Sequence, residues 1–77
     1  MKLLKLPAVL SLTTGGRSTH HKRIHEGLMV PPVRIGQNSV AYPENEIIAI
    51  NAARIAGKSD DEIRQLVAGL VANRNAA

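Results

Sequence analysis

The order of local signals along this 77-residue chain predicts a mainly α fold with a small β-hairpin. Two short helix-forming stretches flank a Gly-containing turn at Thr13 to Gly16. A proline-bounded extended pair follows them. Beyond it lie two helix starts with acidic first turns.

The elements follow in chain order. Pro7 suits the first turn of a helix that Ala8, Val9, Leu10 and Leu12 continue. Arg17 to Glu26 contains neither Gly nor Pro, and Gly27 stands where a helix C-terminal glycine belongs. Pro31 and Pro32 forbid helix and bias Leu28 to Ile35 toward an extended edge strand. Gly36 to Ser39 is a turn, and Val40 to Tyr42 a short returning strand. Pro43 opens a helix with Glu44 and Glu46 in its first turn, running through Ile47, Ile48, Ile50 and Ile55 to Gly57. Ser59 and Glu62 form a capping box for the last helix, where Asp60 and Asp61 add negative charge. Its apolar residues, Ile63, Leu66, Val67, Leu70 and Val71, recur at helical spacing. Asn73 to Ala77 are expected to fray. Two helices around a turn, a wing and two C-terminal helices make a winged helix-turn-helix. On this reading residues 1–57 form the DNA-binding domain, and 58–77 a C-terminal helix capping the same domain.

Composition narrows the function. The chain has no Cys, which excludes disulfides, Cys-based zinc sites and thiol nucleophiles. Tyr42 is the single aromatic residue, so base stacking on aromatic platforms loses its basis. A domain this small buries only ~60% of its unfolded surface and has little room for an enzyme cleft. The net charge is +4, unevenly spread. Residues 1–41 carry Lys2, Lys5, Arg17, Lys22, Arg23 and Arg34 against Glu26 alone, together with His20, His21 and His25. Residues 42–77 carry Arg54, Lys58, Arg64 and Arg74 against five carboxylates. The basic half reads as a surface for a polyanion. Lys2, Lys5 and the apolar run after them imitate a secretory signal, but Pro7 and Ser11 interrupt the run and no small-x-small site follows. No stretch approaches the ~20 apolar residues of a membrane span. The expected location is the cytoplasm, at the nucleoid, with no membrane partner.

The ordered motifs resemble the AlpA family of prophage-type transcriptional regulators, which are excisionase-like winged helix-turn-helix proteins. The matching stretches are LLKLPAVLSLT (Leu3 to Thr13), RST (Arg17 to Thr19), EG (Glu26, Gly27), PPVRIG (Pro31 to Gly36) and AYPENEI (Ala41 to Ile47). Asn51 to Val67 looks like the C-terminal extension of a subset of that family. Gly15 and Gly16 stand where the family usually has Leu and Ser. His20 and Arg23 take positions usually apolar, and Tyr42 replaces the usual Trp. The resemblance implies a non-enzymatic, sequence-specific duplex-DNA-binding regulator of a prophage or mobile element, with the second helix in the major groove.

The residues that would meet DNA follow from helical phase. With Ile24 as buried anchor and about 100° per residue, His20 shares the inward face. Ser18, Thr19, Lys22 and His25 point outward, and His21 and Arg23 flank them. Lys22 is the first choice for the groove; Arg17, Ser18 and Thr19 suit phosphate at the helix start. Arg34, Gln37, Asn38 and Ser39 decorate the wing, where phosphate or minor-groove contact and a plain exposed hairpin explain them equally. An ordinary solvated basic helix is the bland alternative for residues 17–25. His21 and His25 have metal-ligand spacing but no aligned third ligand, so no metal or other cofactor is expected. Ser18 has no orienting carboxylate for nucleophilic catalysis. The apolar stripe of the last helix, or Ile47 to Ile55, serves either the core or a homodimer face. The competing function is a protein-interaction module, an antirepressor or partner subunit, that never touches DNA directly.

Overall fold

The computed structural model describes residues 2–74, so expectations for residues 75–77 lie outside the described residues. Four helices pack with a three-stranded antiparallel sheet. The order is β1 (Leu3–Leu4), α1 (Leu6–Leu12), α2 (Arg17–His25), β2 (Val33–Arg34), β3 (Val40–Pro43), α3 (Glu44–Ile55) and α4 (Asp60–Asn73). The mainly helical architecture with a small hairpin matches the sequence expectation.

The sheet departs from it in two ways. The expected edge strand from Leu28 to Ile35 shrinks to Val33 and Arg34, paired with Ala41 and Val40. Pro31 and Pro32 have no N–H, so the ladder starts only after them. Leu28, Met29 and Val30 are instead buried as irregular chain, at 8%, 1% and 0% exposure. The second departure is an added strand. Leu3 and Leu4 pair with Pro43 and Tyr42, making β3 the centre of the sheet in the order β1-β3-β2. The Glu44 N–H donates to the Lys2 carbonyl at 2.8 Å and ties this strand to the start of α3.

Local chemistry explains the helix ends. Gly27 and Gly57 both adopt a φ of +78°, which glycine takes without steric penalty. Around each, the chain closes a Schellman motif: Leu28 N–H reaches the Arg23 carbonyl at 2.8 Å, and Lys58 N–H reaches that of Ala53 at 3.0 Å. The Ser59–Glu62 capping box is formed in both directions, with bonds of 3.2 and 3.1 Å.

The core joins Val9 of α1, Met29 and Val30 of the connecting segment, Ile47 and Ile50 of α3, and Ile63 and Val67 of α4. Leu66, Leu70 and Val71 pack against it from the same helix. Arg74, expected in a fraying end, is anchored. Its Nε donates to Glu46 Oε2 at 3.0 Å, and its Nη2 donates to the Pro31 carbonyl at 2.8 Å. Glu46 is thereby buried to 4% exposure beside a guanidinium. Among the described residues, no helix is long and apolar enough to cross a membrane.

Candidate nucleic-acid interface

The face of α2 is set by what it buries. His20 is 1% exposed, the half-buried Ile24 packs against the core, and Ser18, Thr19, His21, Lys22 and His25 are exposed. This is the phase expected from the sequence. Arg17, the first residue of the helix, is exposed as well.

A polar contact fixes the buried side. His20 Nε2 and the Tyr42 hydroxyl form a hydrogen bond of 3.0 Å, with the rings edge-to-face at a 75° interplanar angle. His20 Nδ1 is buried without a hydrogen-bond partner among the described residues. Burial lowers the His20 pKa from 6.5, and the positive charges of His21 and Arg23 lower it further. Burial raises the Tyr42 pKa above 10.0. The neutral pair is thus the form the fold favours at neutral pH.

The turn before α2 is glycine-dependent. Gly15 has a φ of +91°, and a Cβ there would lie 2.8 Å from the Thr19 side chain. Gly16 caps α2 without a side-chain hydrogen bond, so the first N–H groups of the helix have no hydroxyl acceptor from the cap. Arg23, expected merely to flank the outer face, folds back and donates to the Thr14 carbonyl at 2.7 Å. It clamps the turn.

Strand alternation relates the β2–β3 hairpin to this helix. Arg34 pairs with Val40 and Leu4 with Tyr42, so these four side chains share one sheet face, the one from which Tyr42 reaches α2. Arg34 therefore emerges on the α2 side. Gln37, Asn38 and Ser39 are exposed at the tip of the β2–β3 hairpin, which closes through a 3.0 Å bond from Ile35 N–H to the Ser39 carbonyl.

The ten cations divide by what they touch. Arg23, Arg54, Arg64 and Arg74 each donate to a loop carbonyl, at Thr14, Leu28, Glu26 and Pro31 respectively. Arg64 also pairs with Asp61 and Arg74 with Glu46. Lys2 and Lys58 lie 3.8 Å from Glu44 and Glu62. Arg17, Lys22 and Arg34 have no hydrogen bond or ion pair among the described residues, and Lys5 has one long contact, 3.5 Å to the Val40 carbonyl. Sequence reasoning did not single out Lys5, since an N-terminal lysine before an apolar run reads as flanking charge, and the two-residue strand β1 that places it leaves no signal in the sequence.

His21 and His25 are exposed on α2, and no group of three or more metal-ligating residues is assembled among the described residues. Elsewhere, Leu12, Ile48 and Ile55 are exposed at 50%, 55% and 88%. Leu12 and Ile55 line an open groove of about 260 Å³. On the sheet face away from α2, Leu3, Val33, Pro43 and Leu70 line a second groove, of about 410 Å³.

No protein-family model matches the chain, and no solved structure matches it. Over 57 residues, 74% of the chain, it is 37% identical to a phage protein described as "Uncharacterized protein ORF88", from Enterobacteria phage P4. The aligned stretch spans 65% of that relative's length, so the chain is similar to about two thirds of a phage protein.

Proposed function

We propose that this chain is a winged helix-turn-helix protein of the AlpA type that binds duplex DNA and regulates transcription or excision of a prophage or other mobile element. It acts as a binding module in the cytoplasm, without catalysis. Helix α2 enters the major groove with Lys22 toward the bases and Ser18, Thr19, His21 and His25 around it. Arg17 meets phosphate at the helix start, and the wing residues Arg34, Gln37, Asn38 and Ser39 meet the backbone or minor groove.

One observation carries this reading: the cations left without protein partners sit on α2 and on the sheet face that adjoins it. Six other cations, Arg23 of α2 among them, are engaged with carbonyls or carboxylates of the protein. The uncapped start of α2 adds backbone N–H groups suited to phosphate oxygens. Similarity to a phage protein supports the mobile-element setting.

The test is fluorescence anisotropy with labelled duplexes across a salt series. Arg17, Lys22 and Arg34 together give an expected slope of log affinity against log salt of about −2.7. Lys22→Ala should weaken binding and relax preference at one base pair by about 1–3 kcal/mol. Arg17→Ala should weaken all sequences alike and reduce the slope by about one. Absence of binding to any duplex near ~50 mM salt would overturn the reading. Exposed Leu12, Ile48 and Ile55 favour the second reading, a protein-binding or self-associating module. Substitution of Ile55 by Ser would then abolish assembly while leaving DNA affinity untouched.

A further inference from the structure

Strand β1 brings the N-terminus of the chain against the wing, which places a lysine where the sequence order does not. Lys5 follows Leu4, the residue paired with Tyr42 at the centre of the sheet. Its Nζ lies 3.5 Å from the carbonyl of Val40, whose side chain is 45% exposed. Val40 is in turn the register partner of Arg34. Two cations separated by 29 positions in the chain therefore converge on one exposed strand residue, at the end of the sheet that continues into the wing turn.

We infer that Lys5 is a DNA-backbone contact, forming with Arg34 a two-cation clamp around Val40 that engages phosphates beside the groove entered by α2. The inference rests on the DNA-binding reading above and extends it to the β1–α1 junction. Three features carry it. The lysine is exposed and has no carboxylate partner among the described residues. Glu44, at the start of α3, is matched by Lys2 at 3.8 Å. Arg34 and Val40 project from the sheet face that Tyr42 turns toward α2, while the Lys5 ammonium reaches the Val40 carbonyl from the opposite edge of β3, so the two cations flank Val40. Between two cations and an apolar side chain, a phosphodiester can place its oxygens on the charges and its sugar against Val40. Such a contact positions the protein and carries no base information of its own.

Lys5 contributes little to folding, since its one contact is the long, exposed 3.5 Å approach to the Val40 carbonyl. It stands at the N-cap of α1 but makes no side-chain capping bond there, so shortening or neutralising it removes no local hydrogen bond of the helix. The experiment uses the full chain and a labelled mixed-sequence duplex of about 30 base pairs, titrated between about 50 and 200 mM salt. With Lys5 added to Arg17, Lys22 and Arg34 as a fourth cation that displaces about one counterion from the duplex, the slope steepens to about −3.6, an affinity loss of about 150-fold over that range. Lys5→Gln should bring the slope to about −2.7 and the loss to about 40-fold. The double variant with Arg34→Gln should lower the slope by about one more, and none of these changes should shift the melting temperature or the sequence preference. Lys58→Gln, which removes a charge on the far helix pair, should leave the slope unchanged. A Lys5→Gln slope equal to that of the unsubstituted protein, with DNA binding intact, overturns the clamp and leaves the DNA reading standing. Failure of the unsubstituted protein to bind the duplex at about 50 mM salt overturns both.

Discussion

Acid should loosen the seam between α2 and strand β3, and the His20–Tyr42 pair sets the size of the effect. His20 is 1% exposed, faces Tyr42 from β3, and has His21 at a ring distance of 5.6 Å and Arg23 on its own helix. Its folded pKa lies below the unfolded 6.5. The folded state therefore binds fewer protons than the unfolded state below that pH, and stability falls as pH falls. The contribution is intact above 6.5 and is lost as pH drops from there toward the lowered folded value. The loss is bounded at about 1.4 kcal/mol per pH unit while His20 stays neutral. Between pH ~7.5 and ~5.5 this amounts to at most ~1.4 kcal/mol, or roughly 5–10 °C in melting temperature for a domain of this size.

The cleanest perturbation is double. His20→Leu alone removes the titration but leaves the buried Tyr42 hydroxyl without its partner, at a cost of about 1–3 kcal/mol. A β-branched apolar residue such as Ile would orphan the same hydroxyl, so His20→Ile alone should not stabilise this protein. His20→Leu with Tyr42→Phe removes both polar atoms, and should recover most of that loss while abolishing the pH dependence. Thermal melts by circular dichroism across this pH range, with an NMR titration of the imidazoles, measure it. A His20 pKa at or above 6.5 in the free protein, or identical melts of the unsubstituted protein at both ends, would refute the reasoning.

Two further predictions concern stability. Arg74→Ala leaves Glu46 buried without its guanidinium and the Pro31 carbonyl without its donor, and should destabilise by about 3 kcal/mol in urea unfolding. A change below about 1 kcal/mol would mean the pair is solvated. Ser59→Ala removes the α4 capping box and should lower stability by about 1 kcal/mol, seen as a melting shift of roughly 4–8 °C. An unchanged melt would mean that tertiary packing alone holds the start of α4.

Much of this molecule was decided locally. Helix ends are written by short-range chemistry, so Gly27, Gly57 and the Ser59–Glu62 box could be placed without knowing the fold. The apolar spacing of α4 and the inward phase of His20 followed from helical geometry alone. The candidate face of α2 was legible for the same reason: a helix with one buried side exposes the other. Tertiary structure decided everything that joins residues distant in the chain. A two-residue strand has no periodicity to read, so β1 became visible only through its pairing with β3, and with it the contact of Lys5 with the Val40 carbonyl. The prolines announced an extended segment but not that Leu28, Met29 and Val30 would turn inward as core. Charge behaved likewise. Arg23, Arg54, Arg64 and Arg74 read as surface cations, yet each satisfies a carbonyl that loop geometry leaves open. A guanidinium's long reach lets the fold choose its partner after the backbone is in place, which is why composition counted these charges and only three-dimensional packing assigned them.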